Sequence, residues 1–300
     1  MKQRQRFSLS DKAFNVLNTI AVSIIVLFVL YPLIFVVSAS ISNPDAVSTG
    51  KMWLWPVEIT FQGFQRVFQN GDIWRGYANT IFYTILGSSL HLAILLPCAY
   101  ALSRKEVMFK KIILWFILFT MLFNGGLIPT YLVVKSLGML NTIWAIVIPG
   151  VVGAWSILVA RTFFESNVPD ELVEASKIDG ASDYGIFFRI VLPLSLPIIA
   201  VMALFHGVSL WNQYFGALIY LKDRSMFPLQ LILREILIVN EIPDEGGADA
   251  GTSQSHVEQV KTASLIKYAV IIVSSLPLLV VYPFLQRFFV QGVLIGSVKE

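Results

Sequence analysis

The sequence predicts an all-α polytopic membrane protein with six transmembrane helices and a cytoplasmic two-helix loop before the fifth. Two observations carry this. Only 14% of the 300 residues are charged and 56% are hydrophobic, where a soluble domain carries about a quarter charged residues. Six runs free of Asp, Glu, Lys and Arg also reach the roughly 17–25 residues needed to cross a hydrocarbon core. They give helices at about 14–41, 76–102, 112–134, 136–160, 194–221 and 268–286. Six core helices of a soluble protein would each need a charged face, and these runs have none.

The first run follows Lys2, Arg4, Arg6 and Lys12. Its length far exceeds the roughly 7–15 apolar residues of a cleaved signal, so it is expected to remain as a helix, with Pro32 as a kink. The segment 42–75 sets Trp53, Trp55, Phe61 and Phe64 among polar residues, which suits either headgroup anchoring or contact with a partner. The second run contains the only cysteine, Cys98, so no intrachain disulfide can form. Asn124-Gly125-Gly126 and Pro129 interrupt the third, as in broken helices that line cavities. A brief connection around 135–141 joins the third to the fourth. The longest connection, 222–267, opens with an apolar stretch at 226–238 and passes into an acidic, Gly-containing run at 244–251. No repeat of 20–50 residues is evident, so residues 1–300 are expected to form one membrane domain.

Lys and Arg near helix ends are retained on the cytoplasmic side. Placing the N-terminus inside assigns 13 of the 22 basic residues to cytoplasmic segments, with the clearest contrast at the N-terminus and at Arg104, Lys105, Lys110 and Lys111. Both termini then face the cytoplasm, as does the loop 165–193, while 222–267 lies outside.

The loop's local chemistry predicts two short helices. Pro169 suits an opening turn, and Asp170 and Glu171 favour the positive end of a helix dipole. Leu172, Ala175 and Ser176 share a face. Gly180 is a C-terminal stop and hinge, Ser182 or Asp183 can cap the second helix, and Ile186, Phe187 and Ile190 precede Pro193. Apolar residues in such a loop need burial, either against a partner or against neighbouring helix ends.

Glu174-Ala175-Ser176, Gly180 and then Ile190, Leu192 and Pro193 resemble, with matching spacing, the coupling-loop motif of type I ABC importer permeases. The family usually has two alanines after the glutamate; the second position here is Ser176. Asn79-Thr80, the stretch Ala99 to Arg104, Ile178-Asp179-Gly180-Ala181-Ser182, Trp211-Asn212 and the tail 292–299 are similar to the carbohydrate class, which includes maltose permeases. The stretch 123–130 and the long 222–267 segment are similar to a subgroup importing oligosaccharides released from polysaccharides, such as aldouronates or alginate fragments.

The resemblance implies that Glu171, Glu174, Ala175, Ser176, Asp179, Gly180, Ile190, Leu192 and Pro193 couple the chain to an ATPase and are not catalytic. It implies a second permease subunit, two ATP-binding subunits, an extracytoplasmic solute-binding protein reached by residues near 240–257, and a sugar substrate moved across the bacterial cytoplasmic membrane by alternating access. It implies no nucleic-acid partner, no metal and no cofactor on this chain, with ATP and Mg used by the partner. In keeping with that, no Gly-x-x-x-x-Gly-Lys-Ser/Thr loop occurs; Gly50-Lys51-Met52 lacks the upstream glycine and the hydroxyl.

Polar groups within the spans mark Asn124, Trp211, Asn212, Gln213 and Tyr214 as substrate-pathway candidates, since aromatic faces and amides together suit sugars; helix packing explains the same residues equally well. His91 fits a hydrogen bond between helices better than substrate contact. Alternatives are a non-sugar ABC permease, an ion-coupled transporter, which usually places Asp or Glu within the membrane, and an intramembrane enzyme. The six runs contain no acid, and His91, His206 and Cys98 form no recognisable catalytic set.

Overall fold

The computed structural model describes residues 9–239 and 266–283. The chain opens with α1 (Leu9–Ser40), α2 (Pro44–Ser48), α3 (Gln62–Gln69) and α4 (Gly71–Ser103). It continues through α5 (Lys110–Leu122), α6 (Leu127–Ser136), α7 (Trp144–Val147) and α8 (Ala154–Asn167). In the loop are α9 (Asp170–Ile178) and α10 (Asp183–Ile186), the latter running through a π-helical turn, Phe187–Val191, into α11 (Leu192–Leu194). The last elements are α12 (Leu196–Trp211), α13 (Phe215–Tyr220), α14 (Leu229–Val239) and α15 (Ile266–Pro283). Among the described residues there is no strand.

Three helices are long and apolar enough to cross a membrane continuously: α1 over Lys12–Ser40, α4 and α15. Two bent pairs, α5 with α6 at 114° and Asp183–Leu194 with α12 at 78°, meet the same length and hydropathy criteria when each pair is taken together, as a broken span or a re-entrant loop. The first bend falls at the expected interruption. Gly126 sits at φ +87°, a conformation glycine adopts without penalty, and its N–H donates to Asn124 Oδ1 at 2.8 Å.

The run 136–160 is not one continuous helix, and here the structure corrects the expectation. Pro149 cannot donate to a helical ladder and Gly150 takes φ +74°, so α7 stops short and α8 begins afresh after Gly153. His91 of α4 meets the resulting gap: its Nδ1 donates to Val151 O at 2.6 Å, satisfying irregular backbone at membrane depth. The fifth expected helix, 194–221, is likewise divided into α12 and α13. At the break Asn212 Nδ2 donates to Val208 O at 2.9 Å, competing with helix continuation.

Two compact units divide the chain, residues 1–70 with 235–275 and residues 71–234 with 276–300. In the first, most of α1 exposes apolar side chains all round, the surface of a helix in lipid. At its C-terminal end, Ser38 Oγ donates to Leu54 O and Ser42 Oγ to Ser38 O, both at 2.6 Å, folding the 41–60 connection into a cap. Trp53 and Trp55 stay exposed on that cap.

The second unit is built on α4, which packs along α12 and α8. Gly76 admits α14: a Cβ there would stand 3.1 Å from Leu229 Cα. Thr80 Oγ1 accepts the Leu229 N–H at 2.8 Å. Asn79 Nδ2 donates to the carbonyls of Ser225 and Phe227, and the Tyr83 hydroxyl donates to Met226 O. These bonds give Asn79-Thr80 a structural role, holding the irregular entry to α14.

Candidate functional site

The loop 165–193 rests on a hydrophobic cluster shared with the membrane helices. Val173, Ile186, Phe187 and Val191 from the loop are buried with Leu95, Leu96 and Ala99 of α4 and with Ala160 and Phe164 of α8. Tyr100 bridges the two sides, its ring 5.7 Å from Phe164 and 5.3 Å from Phe187. Of the residues expected to need burial, Ile186 and Phe187 therefore pack within the chain.

An ionic clamp ties the loop's entrance to the end of α4. Arg104 Nη1 reaches Asp170 Oδ1 at 3.2 Å, and its Nη2 donates to Val168 O at 3.2 Å. Lys105 Nζ stands 2.8 Å from Asp170 Oδ2. The Lys105 hydrogen bond holds the Asp170 carboxyl below the usual carboxylate range, and the same bond raises Lys105. Beside it, Glu165 takes Lys110 Nζ at 2.9 Å and Arg161 Nη2 at 2.5 Å. Partial burial pushes Glu165 upward, but these two cations prevail and lower it. The distant pairings joining Ala99–Arg104 to the loop carry no local sequence signal.

The hinge forms as the residue types dictate. Gly180, at φ +81°, donates its N–H to Lys177 O, and the Ala181 N–H reaches Ser176 O, both at 3.0 Å. This pair of bonds is the Schellman closure that a glycine after a helix permits. Ser182, rather than Asp183, caps α10, its Oγ accepting the Gly185 N–H at 3.2 Å. Ser176 is buried, and its hydroxyl turns inward to Leu172 O.

The exposed face of the loop includes large apolar side chains. Ile178 is 87% exposed and Tyr184 80%, with Phe188, Ala175 and part of Leu172 beside them in the loop. Glu171, Glu174, Asp179, Gly180 and Pro193 are also at the surface, and Ile190 and Leu192 are half-buried. Among the described residues no side chain pairs with Glu174. The loop thus turns one face into the core and presents on the other an exposed apolar surface set among charged side chains, Lys177 and Arg189 included.

The pathway candidates fall in two places. Asn124 lies at the bend between α5 and α6, and the structure does not join it to the others. Trp211 is buried at the end of α12, with Tyr77 edge-on at 5.7 Å, while Asn212 and Tyr214 are exposed and Gln213 is half-buried. Residues 240–257 and 292–299 lie outside the described residues. Among the described residues no cluster could hold a metal ion.

Residues 4–295 match the family described as binding-protein-dependent transport system inner membrane component. The chain belongs to this family. It is 39% identical over 273 residues to the polygalacturonan/rhamnogalacturonan transport system permease protein YtcP of Bacillus subtilis, covering 91% of this chain and 93% of that one. It is 37% identical to Protein LplC of the same organism, covering 97% and 96% of the two chains. A crystal structure of a bacterial ABC transporter involved in the import of the acidic polysaccharide alginate contains a chain that superposes with a TM-score of 0.84. The two are 33% identical, and the match covers 95% of this chain and 99% of that one. Within this family of ABC permeases the chain is a transport component, a helical protein of the membrane.

Proposed function

We propose that this permease is one half of the membrane pathway of an ATP-driven importer for oligosaccharides derived from polysaccharides. The observation that carries the reading is the loop 165–193. Its inner face is welded to α4 and α8, and its outer face presents Ala175, Ile178, Tyr184 and Phe188 beside Glu174. A partner gripping the outer face moves the membrane helices with it, because the buried cluster and the Arg104–Asp170 clamp leave the loop little freedom of its own.

In this reading the loop and both termini face the cytoplasm of a bacterium, and two ATPase subunits dock below, binding ATP and Mg themselves. Residues 165–193 couple ATP-driven closure to the helices through Glu171, Glu174, Gly180 and their neighbours. A second permease completes the pathway, a solute-binding protein delivers the sugar from outside, and the whole chain works as one transmembrane domain. At a helix break, Asn212 and Gln213 offer amides and Tyr214 an exposed aromatic ring. The relatives named for polygalacturonan, rhamnogalacturonan and alginate transport support carbohydrate polymers as the source of the substrate.

The test is reconstitution of the complex in proteoliposomes with its binding protein and ATPases. ATP hydrolysis and uptake are expected to rise when oligosaccharides are supplied. Unchanged hydrolysis across neutral and acidic oligosaccharides, in a complex that hydrolyses ATP, would overturn the carbohydrate assignment.

A further inference from the structure

Arg234 is a cation held by a ring. It lies on α14, half-buried, with its guanidinium carbon 5.5 Å from the centroid of the Tyr214 ring. Among the described residues no carboxylate or carbonyl accepts a hydrogen bond from it, whereas neighbouring Arg224 is paired with Asp72 at 3.0 Å. A guanidinium carries five N–H donors in a planar fork. An aromatic face orients that fork and consumes none of the donors. A partly desolvated cation in this state favours an arriving anion, and a planar carboxylate matches the fork with two parallel hydrogen bonds.

The surroundings narrow the anion. Tyr214 is 41% exposed and follows directly on the break at Asn212, next to Trp211. Trp211 meets Tyr77 edge-on, and Tyr77 in turn lies 6.2 Å from Trp74, itself 48% exposed. The exposed parts of Tyr214 and Trp74 can receive the C–H face of a sugar ring, while Arg234, which meets no carboxylate among the described residues, receives a negative charge. Both features occur together in a hexuronic acid unit, whose ring has an apolar face and whose C6 is a carboxylate.

We infer that Arg234, positioned by Tyr214, binds the carboxylate of uronic-acid units in the oligosaccharide and so selects acidic over neutral sugars. Arg234 is the contact residue and Tyr214 the positioning residue. The inference rests on the chain being an oligosaccharide permease and adds the charge class of its substrate.

The test uses the complete complex with its binding protein, comparing trigalacturonate with its methyl ester. Because the same binding protein serves every variant, its own preference cancels. The wild type is expected to respond to the free acid at lower concentration. Arg234→Gln is expected to shrink the acid-over-ester ratio by about tenfold, the loss of charge-assisted hydrogen bonds. Arg234→Lys should retain part of it, because an ammonium supplies charge without the fork. Tyr214→Phe should keep the ratio and Tyr214→Leu should lower it, and this pair decides the matter if Arg234→Gln does not assemble. A ratio unchanged in Arg234→Gln, or equal in Tyr214→Leu and wild type, overturns the inference while leaving the permease assignment standing. A wild-type complex stimulated by the ester alone does the same. A wild type stimulated by no saccharide defeats the permease reading and this inference together.

Discussion

Arg104, one residue beyond α4, holds Asp170, the first residue of α9, through a 3.2 Å contact, and the same guanidinium donates to Val168 O. The Arg104 side chain is only 11% exposed. The end of α4 is thereby bonded to the point where α9 of the loop 165–193 begins.

Replacing Arg104 with Gln removes one of the two cations on Asp170, Lys105 remaining, and the guanidinium donor to the carbonyl of buried Val168. An unsatisfied buried acceptor costs about 1–3 kcal/mol, so a lower midpoint for thermal unfolding of the purified complex is expected. ATP-driven uptake should fall by more than ATPase binding does, because the docking face is untouched while its attachment is loosened. Parallel pull-down and uptake assays separate the two effects.

The clamp has a defined pH window. Asp170 and Glu165 titrate below their unfolded values, so their contribution is complete above about pH 4, the unfolded carboxylate range, and is lost as pH falls through the lower folded values. Lys105 is raised, so its contribution is complete below its unfolded value of about 10.4 and lost only as pH rises through the higher folded value. The stability difference between wild type and Asp170→Asn is therefore expected to be flat from about pH 5 to 9 and to vanish in stronger acid. Thermal melts across that range check it.

Gly180 separates backbone strain from crowding. No atom lies within 4 Å of a Cβ built there, so Gly180→Ala should cost only the left-handed penalty of roughly 1–2 kcal/mol. Gly180→Pro fixes φ near −65° and deletes the N–H that bonds Lys177 O. The first variant should retain most uptake and the second should lose it, with both still inserted in the membrane.

Phe164 is fully buried between Tyr100 and the loop's apolar residues. Phe164→Ala should destabilise by about 3–5 kcal/mol, the usual cost of a large aromatic deleted from a core, whereas Phe164→Leu should cost far less. A denaturation series on the solubilised chain measures this.

The sequence made the loop legible where local chemistry decides structure. Gly180 as a stop, an N-cap at 182–183 and the interruption at 124–126 all follow from residue type and spacing. The division of 136–160 was hidden because hydropathy counts Pro149 and Gly150 as tolerable within an uncharged run, although their backbones end helices. Ile186 and Phe187 needed burial, and only the fold could say that α4 and α8 supply it. The Arg104–Asp170 and Arg234–Tyr214 contacts join residues 66 and 20 positions apart, beyond any local pattern. Ser176 shows the mixture: its small size was legible, but its inward turn to Leu172 O was not.

The central claim is that the exposed face of 165–193 receives an ATPase subunit. Ile178, 87% exposed, lies on that face and outside the core, so Ile178→Asp should leave folding within about 0.5 kcal/mol of wild type. The decisive measurement is retention of the ATPase subunits by this variant, and by Glu174→Ala, on co-purification in detergent. The account predicts a folded permease that has lost its ATPases and its ATP-driven uptake. Full retention of the ATPases with unchanged uptake in both variants would contradict it.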